Sequence, residues 1–293
     1  MLTRELVAQV RRLEIQTRKA VAETFAGSYQ SVFKGTGMVF QEVRPYQPGD
    51  DVRAIDWNVS ARMQQPYVKV FTEERERTAM LLLDLSRSQD FGTVEKTKGR
   101  VAAELAALLV FSAIRSGDRV GAILFTDRIE AFVPPRKGKK HGMALVAHIL
   151  TARPEGRGTD IAGALHHLGR VVQRRAIVFL LSDFLAPDCE PALRVAARRH
   201  ELVPVVLRDP LEEALPPLGL VTVEDPETGA RLEIDLASER MRRRYQALVA
   251  AQVEARRRLF RRLDIEPVEV RCGEDPVRPL AAYFAAVRRR KAR

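Results

Sequence analysis

Four runs of apolar residues constrain the fold more than any other feature of the sequence: AMLLLD, RVGAILFT, AIVFLLSD and ELVPVVL, between residues 79 and 207. Each run is continuous rather than alternating, which is typical of strands that are covered on both faces. Helical patterns lie between and beside them, at residues 96–115, 143–150, 160–173 and 191–199. This alternation predicts a doubly wound α/β fold around a mostly parallel sheet. We expect IEAFVPP to add a short edge strand and PVEV to add the last strand.

The residues before the first apolar run have a different texture. Residues 4–26 have the pattern of an amphipathic helix, and a segment rich in Gly and Pro follows, with a helical turn expected from Asp50 or Asp51. We therefore predict two parts. Residues 1–76 form a helix and a small irregular β-containing module, and residues 77–293 form the α/β domain. The second part includes a strand–turn–strand in LVTVEDPETGARLEIDL and basic C-terminal helices.

Composition limits the cellular setting. Only two cysteines occur, so a disulfide framework is excluded and a reducing cytosol is expected. The longest apolar stretch, Ala106 to Ile114, is shorter than the ~20 residues that a membrane-spanning helix needs, and the charged N-terminus lacks the apolar centre of a signal peptide. We predict a cytoplasmic protein without a transmembrane segment. Its net charge of +11 favours acidic partners but does not choose among protein, nucleic acid and anionic lipid.

Five side chains that carry oxygen lie near the ends of the first and third apolar runs and at the start of one helix, and in the predicted fold these places border the same crevice. They are Asp84, Ser86, Ser88, Thr159 and Asp183. In open α/β sheets, ligands bind beyond the carboxyl ends of the strands. Carboxylate and hydroxyl oxygens are hard ligands of the kind that Mg²⁺ and Mn²⁺ prefer. The pattern predicts a divalent-cation site, although the same residue types also cap loops and helices.

The order of these five residues resembles the metal-ion-dependent adhesion site of von Willebrand factor A domains, in which Asp-x-Ser-x-Ser precedes a distant Thr and a distant Asp. The resemblance implies that Ser86, Ser88 and often Thr159 contact the cation, which would be Mg²⁺, Mn²⁺ or Ca²⁺. It implies that Asp84 and Asp183 act largely through bound water. An acidic side chain of a partner would complete the coordination, so the site would bind rather than catalyse.

A second resemblance covers nearly the whole chain. The segments FKGTGMVFQEVRPYQPGDDVRAIDWNVSARMQQPYVKVFTEERE, FLLSDF and LPPLGLVTVEDPETG are similar to the bacterial family called domain of unknown function 58. Its members pair a von Willebrand A-like domain with this upstream segment and are often encoded beside MoxR-type AAA+ ATPases. The resemblance implies a non-enzymatic adaptor or chaperone component that works with such an ATPase, with an acidic protein client, or with both.

Four residues are candidates for partner contact. Trp57 is the only tryptophan and lies among alternating acids and arginines between Arg44 and Arg62. Those charges form either a docking surface or, as we favour, internal ion pairs. Arg87 lies inside the candidate metal loop, where its charge either opposes the cation or pairs with Asp84. Arg136 and Lys137 belong to a basic loop predicted over residues 133–142, which either grips an acidic partner or is simply solvated.

Two rival functions remain open. Asp84 at the end of the first strand is placed like the nucleophile of a metal-assisted phosphohydrolase, although Ser86 stands where such enzymes usually have a second acid. The arginine-rich C-terminal third suggests nucleic-acid binding, but it lacks aromatic interleaving, and a solvated helical face is the default interpretation. The sequence has no phosphate-binding loop motif, so we expect the chain not to hydrolyse nucleotide itself, and it has no nucleophile-elbow motif and no zinc-ligand spacing.

Overall fold

The computed structural model describes residues 8–15, 38–73, 77–92, 95–186 and 188–291. Residue contacts divide the chain into two compact units, residues 33–76 and residues 1–32 together with 77–293. Residues 8–15 form helix α1, which falls in the larger unit, whereas the sequence analysis groups it with the small module. Val10 and Leu13 of this helix are buried, and Glu14 forms an ion pair of 2.5 Å with Lys139 of the larger unit. The rest of the predicted helix 4–26 lies outside the described residues.

The smaller unit is an antiparallel strand pair with two short helical segments. Its elements are β1 (Met38–Pro45), a 3-10 turn (Val52–Ala54), α2 (Trp57–Met63) and β2 (Tyr67–Glu73). Asp51 caps the turn by accepting from the Arg53 amide at 2.9 Å, and Asp56 caps α2 by accepting from the Asn58 amide at 3.0 Å. The helical turn expected at Asp50 or Asp51 is therefore confirmed.

The larger unit contains a six-stranded sheet in the order β10-β7-β6-β3-β4-β5. The strands are β3 (Thr78–Asp84), β4 (Arg119–Phe125), β5 (Ile129–Arg136), β6 (Ile177–Ser182), β7 (Glu201–Arg208) and β10 (Val268–Arg271). Every pairing is parallel except that of β5, which lies antiparallel to β4 at the edge. The predicted doubly wound, mostly parallel sheet is confirmed, including its edge strand and its last strand.

Helices cover both faces of the sheet. They are α3 (Lys98–Arg115), α4 (Lys139–Thr151), α5 (Ile161–Val171), α6 (Glu190–Arg199), α7 (Pro210–Glu213), α8 (Glu239–Arg262) and α9 (Val277–Lys291). Met80 and Leu82 face a core formed with α5, α6 and Phe260 of α8. On the opposite face, Phe179 of β6 packs edge-on against Phe284 of α9, with ring centroids 6.4 Å apart. Two covered faces explain why the strands are apolar at every position.

The predicted basic loop over residues 133–142 is wrong. Strand β5 continues to Arg136, which pairs with Val120 of β4, and α4 begins at Lys139. The two prolines before Arg136 lie in an edge strand where the pairing register shifts between Val120 and Ala122, and edge strands and bulges tolerate the missing N–H groups of proline. The His141 ring nitrogen Nε2 lies 2.8 Å from the Val120 carbonyl oxygen, so this part of the basic segment serves packing.

A separate two-stranded hairpin lies between α7 and α8, as the sequence predicts, and consists of β8 (Leu220–Glu224) and β9 (Arg231–Asp235). Most of its residues are exposed, and its turn approaches the carboxyl end of the sheet. Among the residues described here, no helix is both long and apolar enough to cross a membrane.

Candidate functional site

Asp84 is a buried carboxylate at the end of β3, with 1 % of its surface exposed. Its Oδ1 accepts a hydrogen bond from the Ser86 amide at 2.9 Å, and its Oδ2 accepts one from the Ser182 hydroxyl at 2.6 Å. Burial raises the pKa of Asp84 to about 6, which the hydrogen bonds from Ser182 and Ser86 only partly oppose. In the part of the chain that the structure describes, no cationic side chain pairs with it. Asp84 therefore occupies a place that favours a nearby positive charge.

The two serines after β3 converge as predicted. A 3-10 turn over Arg87–Asp90 brings the Ser86 and Ser88 hydroxyl oxygens to 3.0 Å from each other, and the Ser88 hydroxyl donates to Asp183 Oδ2 at 3.0 Å. Arg87 has an exposed side chain, while its amide donates to the Arg157 carbonyl at 3.0 Å. One hydrogen-bonded series thus joins four of the five predicted residues, Asp84, Ser86, Ser88 and Asp183.

Asp183 follows β6 at the same end of the sheet and is held at several atoms. Its Oδ1 accepts from the Leu185 amide at 3.2 Å, and its backbone carbonyl accepts from Arg256 of α8 at 3.1 Å. The next residue, Phe184, has a left-handed backbone with φ of 57°, which costs about 1–2 kcal/mol for a residue with a Cβ. Its ring packs edge-on against Phe260 at 5.3 Å, which helps to hold this sharp turn.

Lys98 is the main site residue that the sequence analysis missed. This first residue of α3 is fully buried, and its ammonium lies 2.8 Å from Asp183 Oδ2 and 2.5 Å from Glu212 Oε1. Burial alone would lower the pKa of Lys98, but the charges of Asp183 and Glu212 outweigh it and the net shift is upward. The ammonium therefore stays protonated. A signal existed in the sequence, because Lys98 shares the helical stripe of buried Val101 and Leu105.

Thr159 lines a cavity together with Ser88, but its hydroxyl binds a residue that the sequence analysis did not name. The following residue, Asp160, caps α5 by accepting from the Gly163 amide at 2.8 Å, so Gly158-Thr159-Asp160 opens this helix as predicted. The Thr159 hydroxyl donates to Glu227 Oε1 at 3.0 Å, on the turn of the β8–β9 hairpin. Thr159, Glu227 and Ser88 line one cavity of about 380 Å³. Burial raises the pKa of Glu227, and the charges of Asp183 and Asp225 raise it further.

The predicted partner-contact residues are accessible but lie outside this cavity. Trp57 is 70 % exposed at the start of α2, and Arg136 is exposed at the end of β5, with exposed Lys137 next to it. Nearby charges form internal ion pairs, as favoured from the sequence, at 2.7 Å between Arg44 and Asp50 and at 3.1 Å between Lys69 and Asp56. A role in partner contact stays a prediction for Trp57, Arg87, Arg136 and Lys137.

Some of the arginines of α8 have carboxylate partners on the protein itself. Arg243 pairs with Glu239 at 2.7 Å, Arg262 pairs with Glu190 at 2.7 Å, and Arg257 lies 3.4 Å from Glu269. These exposed pairs reduce the charge that the helix offers to a polyanion. The arrangement favours a solvated, ion-paired face over a nucleic-acid surface.

The oxygen donors at the carboxyl ends of β3 and β6 suit a small divalent cation, beside the Lys98 ammonium that already bonds to Asp183 Oδ2. Both carboxylate oxygens of Asp84 and of Asp183 already accept hydrogen bonds, so the hydroxyl oxygens of Ser86 and Ser88 are the natural direct ligands. Gln89 is buried with its Oε1 lacking a hydrogen-bond partner among the described residues, while its amide nitrogen lies 3.5 Å from Ser88 Oγ. The described residues contain no cluster of three His, Cys, Asp or Glu side chains suited to a metal, so the fit depends on these hydroxyls.

Comparisons with known proteins confirm the resemblance to the family called domain of unknown function 58. Residues 42–255 match the family described as Protein of unknown function DUF58. An uncharacterized protein of Mycobacterium tuberculosis is 34% identical over 235 residues, which cover 79% of this chain and 74% of that protein. A protein of Paracoccus denitrificans, named as uncharacterized in the moxR 3' region, is 37% identical over 100 residues, covering 33% of this chain and 94% of that protein. Among solved structures, a von Willebrand factor type A protein from Catenulispora acidiphila is similar with a TM-score of 0.40 and 14% identity, covering 76% of this chain and 44% of that one.

Proposed function

The chain belongs to the family described as Protein of unknown function DUF58, and we propose that it is a non-enzymatic adaptor that binds a partner protein through a divalent cation. The hydroxyls of Ser86 and Ser88 would hold this cation, which would be Mg²⁺, with Mn²⁺ or Ca²⁺ as alternatives. When bound, it supplies an open coordination position for a carboxylate. The observation that carries this proposal is the convergence of Asp84, Ser86, Ser88 and Asp183 at the carboxyl ends of β3 and β6.

The chain's own residues hold this centre in place. Asp84 fixes the loop by accepting from the Ser86 amide, and the Ser182 hydroxyl orients Asp84 from the neighbouring strand. Asp183 orients Ser88 and is itself held by Lys98. The two carboxylates and the hydroxyls are thus positioned before a cation arrives, which reduces the ordering cost of binding.

The same contacts favour an adaptor over a phosphohydrolase. A nucleophilic Asp84 needs an oxygen that is free to attack a phosphorus atom, but both of its oxygens accept short hydrogen bonds and the side chain is buried. Ser86 stands where a second acid would be needed for proton transfer. We expect no hydrolysis of a generic phosphate ester above the background rate with Mg²⁺ present.

The proposed partner is a MoxR-type AAA+ ATPase, an acidic client protein, or both. Support for the ATPase comes from the relative that is named by its position in the moxR 3' region. Support for an acidic contact comes from the chain's net charge of +11 and from the open position that a cation would offer. Cytoplasmic localisation is part of this proposal.

The metal claim is tested by titrating MgCl₂ against the protein while following its melting temperature. Because a ligand that binds only the folded state stabilises it by about 2.7 kcal/mol at 100 times its Kd, the wild-type protein should melt at a higher temperature. The Asp84→Ala variant should show no such rise. Asp90→Ala is the matched control, since Asp90 is an exposed acid in the same turn. An equal rise in the Asp84→Ala variant contradicts the proposed site.

The partner claim is tested by capturing the MoxR-type ATPase of the same organism on the immobilised protein. Capture should require Mg²⁺ and should be lost in EDTA and in the Ser86→Ala variant, because a bridging cation then lacks a ligand. Ser116→Ala is the matched control, since Ser116 follows the opposite end of α3, about 27 Å along the helix axis from Lys98. Capture that persists in EDTA shows an adaptor that does not use a metal.

A further inference from the structure

We propose that Glu227, on the turn of the β8–β9 hairpin, is an internal ligand of the cation site. Its carboxylate fills the position that a partner's acidic group would take, so the hairpin must move before a partner can bind. This inference rests on the proposed function and names the residue that controls access to the site.

The geometry of the turn places Glu227 at the site. Its Oε1 accepts from the Thr159 hydroxyl at 3.0 Å, and a Cβ added to Gly158 would lie 3.7 Å from its Oε2. Both carboxylate oxygens therefore lie against the loop that opens α5. Ser88 and Thr159 line the same cavity as Glu227, so this carboxylate and the Ser88 hydroxyl face one space in which a cation could contact both.

The hairpin turn presents Glu227 in a fixed conformation. The Asp225 carboxylate accepts from the Glu227 amide at 2.9 Å and from the Thr228 hydroxyl at 2.7 Å, and the Asp225 amide donates to the Ala230 carbonyl at 2.8 Å. Gly229 supplies the left-handed residue of the turn with φ of 74°. A turn locked in this way loses little conformational entropy when its carboxylate is bound.

The rest of the hairpin is held weakly enough to move. Two-stranded hairpins are marginally stable on their own, and Leu220 and Leu232 of this one are 71% and 61% exposed. Its base is fixed by buried Leu236, whose amide donates to the Gly219 carbonyl at 2.7 Å. The hydrogen bond between Thr159 and Glu227 therefore holds the tip of a hairpin that can pivot about its fixed base.

Charge at the cavity favours a cation between Glu227 and Asp183. Their negative charges repel each other, and Lys98 also attracts Glu227 but forms its ion pairs with Asp183 and Glu212. Among the residues that the structure describes, no cationic side chain forms an ion pair with Glu227. A divalent cation would relieve the repulsion and would use Glu227 as a ligand from the same chain.

The first test measures Mg²⁺ affinity by calorimetric titration in the Glu227→Ala variant. Losing a carboxylate ligand should weaken Mg²⁺ binding by about tenfold or more, on the scale of known changes around metal sites. Glu233→Ala is the matched control, because Glu233 is an exposed acid on the same hairpin outside the cavity and should leave the affinity unchanged.

The second test asks whether an external carboxylate enters the site. With Mg²⁺ at saturation, glutarate should raise the melting temperature of the Glu227→Ala variant, because the ligand position is vacant. It should have no effect on the wild-type protein or on Glu233→Ala. Equal Mg²⁺ affinity in the wild-type and Glu227→Ala proteins overturns the inference, and so does an equal response to glutarate.

The Asp84→Ala variant separates this inference from the proposed function. If Asp84→Ala loses Mg²⁺ binding while Glu227→Ala keeps the wild-type affinity, the metal site stands and only the role of Glu227 is overturned. If Asp84→Ala binds Mg²⁺ as the wild type does, the proposed site and the inference fail together.

Discussion

The cationic side chains of this protein fall into two groups that differ in burial and in what they bind. Lys98 and Arg256 converge on Asp183, one at its carboxylate and the other at its backbone carbonyl. Arg243, Arg257 and Arg262 are exposed on α8 and pair with exposed Glu239 and with half-buried Glu269 and Glu190. In the first group Lys98 is fully buried and Arg256 is partly buried, whereas solvent and salt screen the second group.

The basic residues that are most numerous in the sequence are therefore not those that contact the candidate site. Arginine clusters dominate the C-terminal third, yet an exposed ion pair contributes little to stability. A single buried lysine forms the ion pair with Asp183, and this pair matters more because an unpaired charge in the interior is costly. Removing cations from each group tests whether burial determines how much a cation contributes to stability.

The largest effect is expected for Lys98→Met. This change leaves the Asp183 carboxylate without its buried cation, so the free energy of unfolding should fall by about 3–5 kcal/mol in a urea titration. Lys96→Met is the matched control, since Lys96 forms a more exposed ion pair with Glu104 and should change the unfolding midpoint little. Equal losses in the two variants would show that burial does not distinguish them.

A smaller effect is expected for Arg256→Met. Arg256 is partly buried and donates to the Asp183 carbonyl, so its removal should cost about 1–3 kcal/mol by leaving that acceptor unsatisfied. Its neighbour Arg257 is exposed and binds Glu269, so Arg257→Met should have a smaller effect that fades as NaCl is raised. Chemical denaturation at low and high salt checks both changes. A larger cost for Arg257→Met contradicts the comparison.

The smallest effect is expected for a double variant, Arg243→Met with Arg262→Met. Both arginines are exposed and pair with surface acids, so stability and Mg²⁺ affinity should not change measurably. The same variant tests the nucleic-acid rival, which predicts binding to a short DNA duplex that falls steeply with salt and is indifferent to Asp84. We expect no such binding at physiological salt. A salt-dependent complex that the double variant weakens would favour the rival.

The apolar patterns predicted most of the fold because burial on two faces leaves a continuous signature along each strand. Asp84, Ser86 and Ser88 were also predictable, since they follow one strand within five residues and converge through local backbone geometry. The basic segment after Val133 was misinterpreted as a loop because pairing with β4 overrides its charge and its prolines. Thr159 was predicted to share a crevice with Asp84 and Asp183; it lines a cavity with Ser88, and its bond to Glu227 was not foreseen.

The sequence by itself determined that a parallel sheet forms and that hydroxyl and carboxylate side chains gather where its strands end. Periodic burial and strand ends are local properties, so they can be seen along the chain. Only the tertiary structure decided that Lys98 meets Asp183, 85 residues away, and that Glu227 meets Thr159, 68 residues away. These pairings depend on how α3 and the hairpin pack near the end of the sheet. Contacts between residues that are far apart in the chain produce no periodic pattern in a sequence.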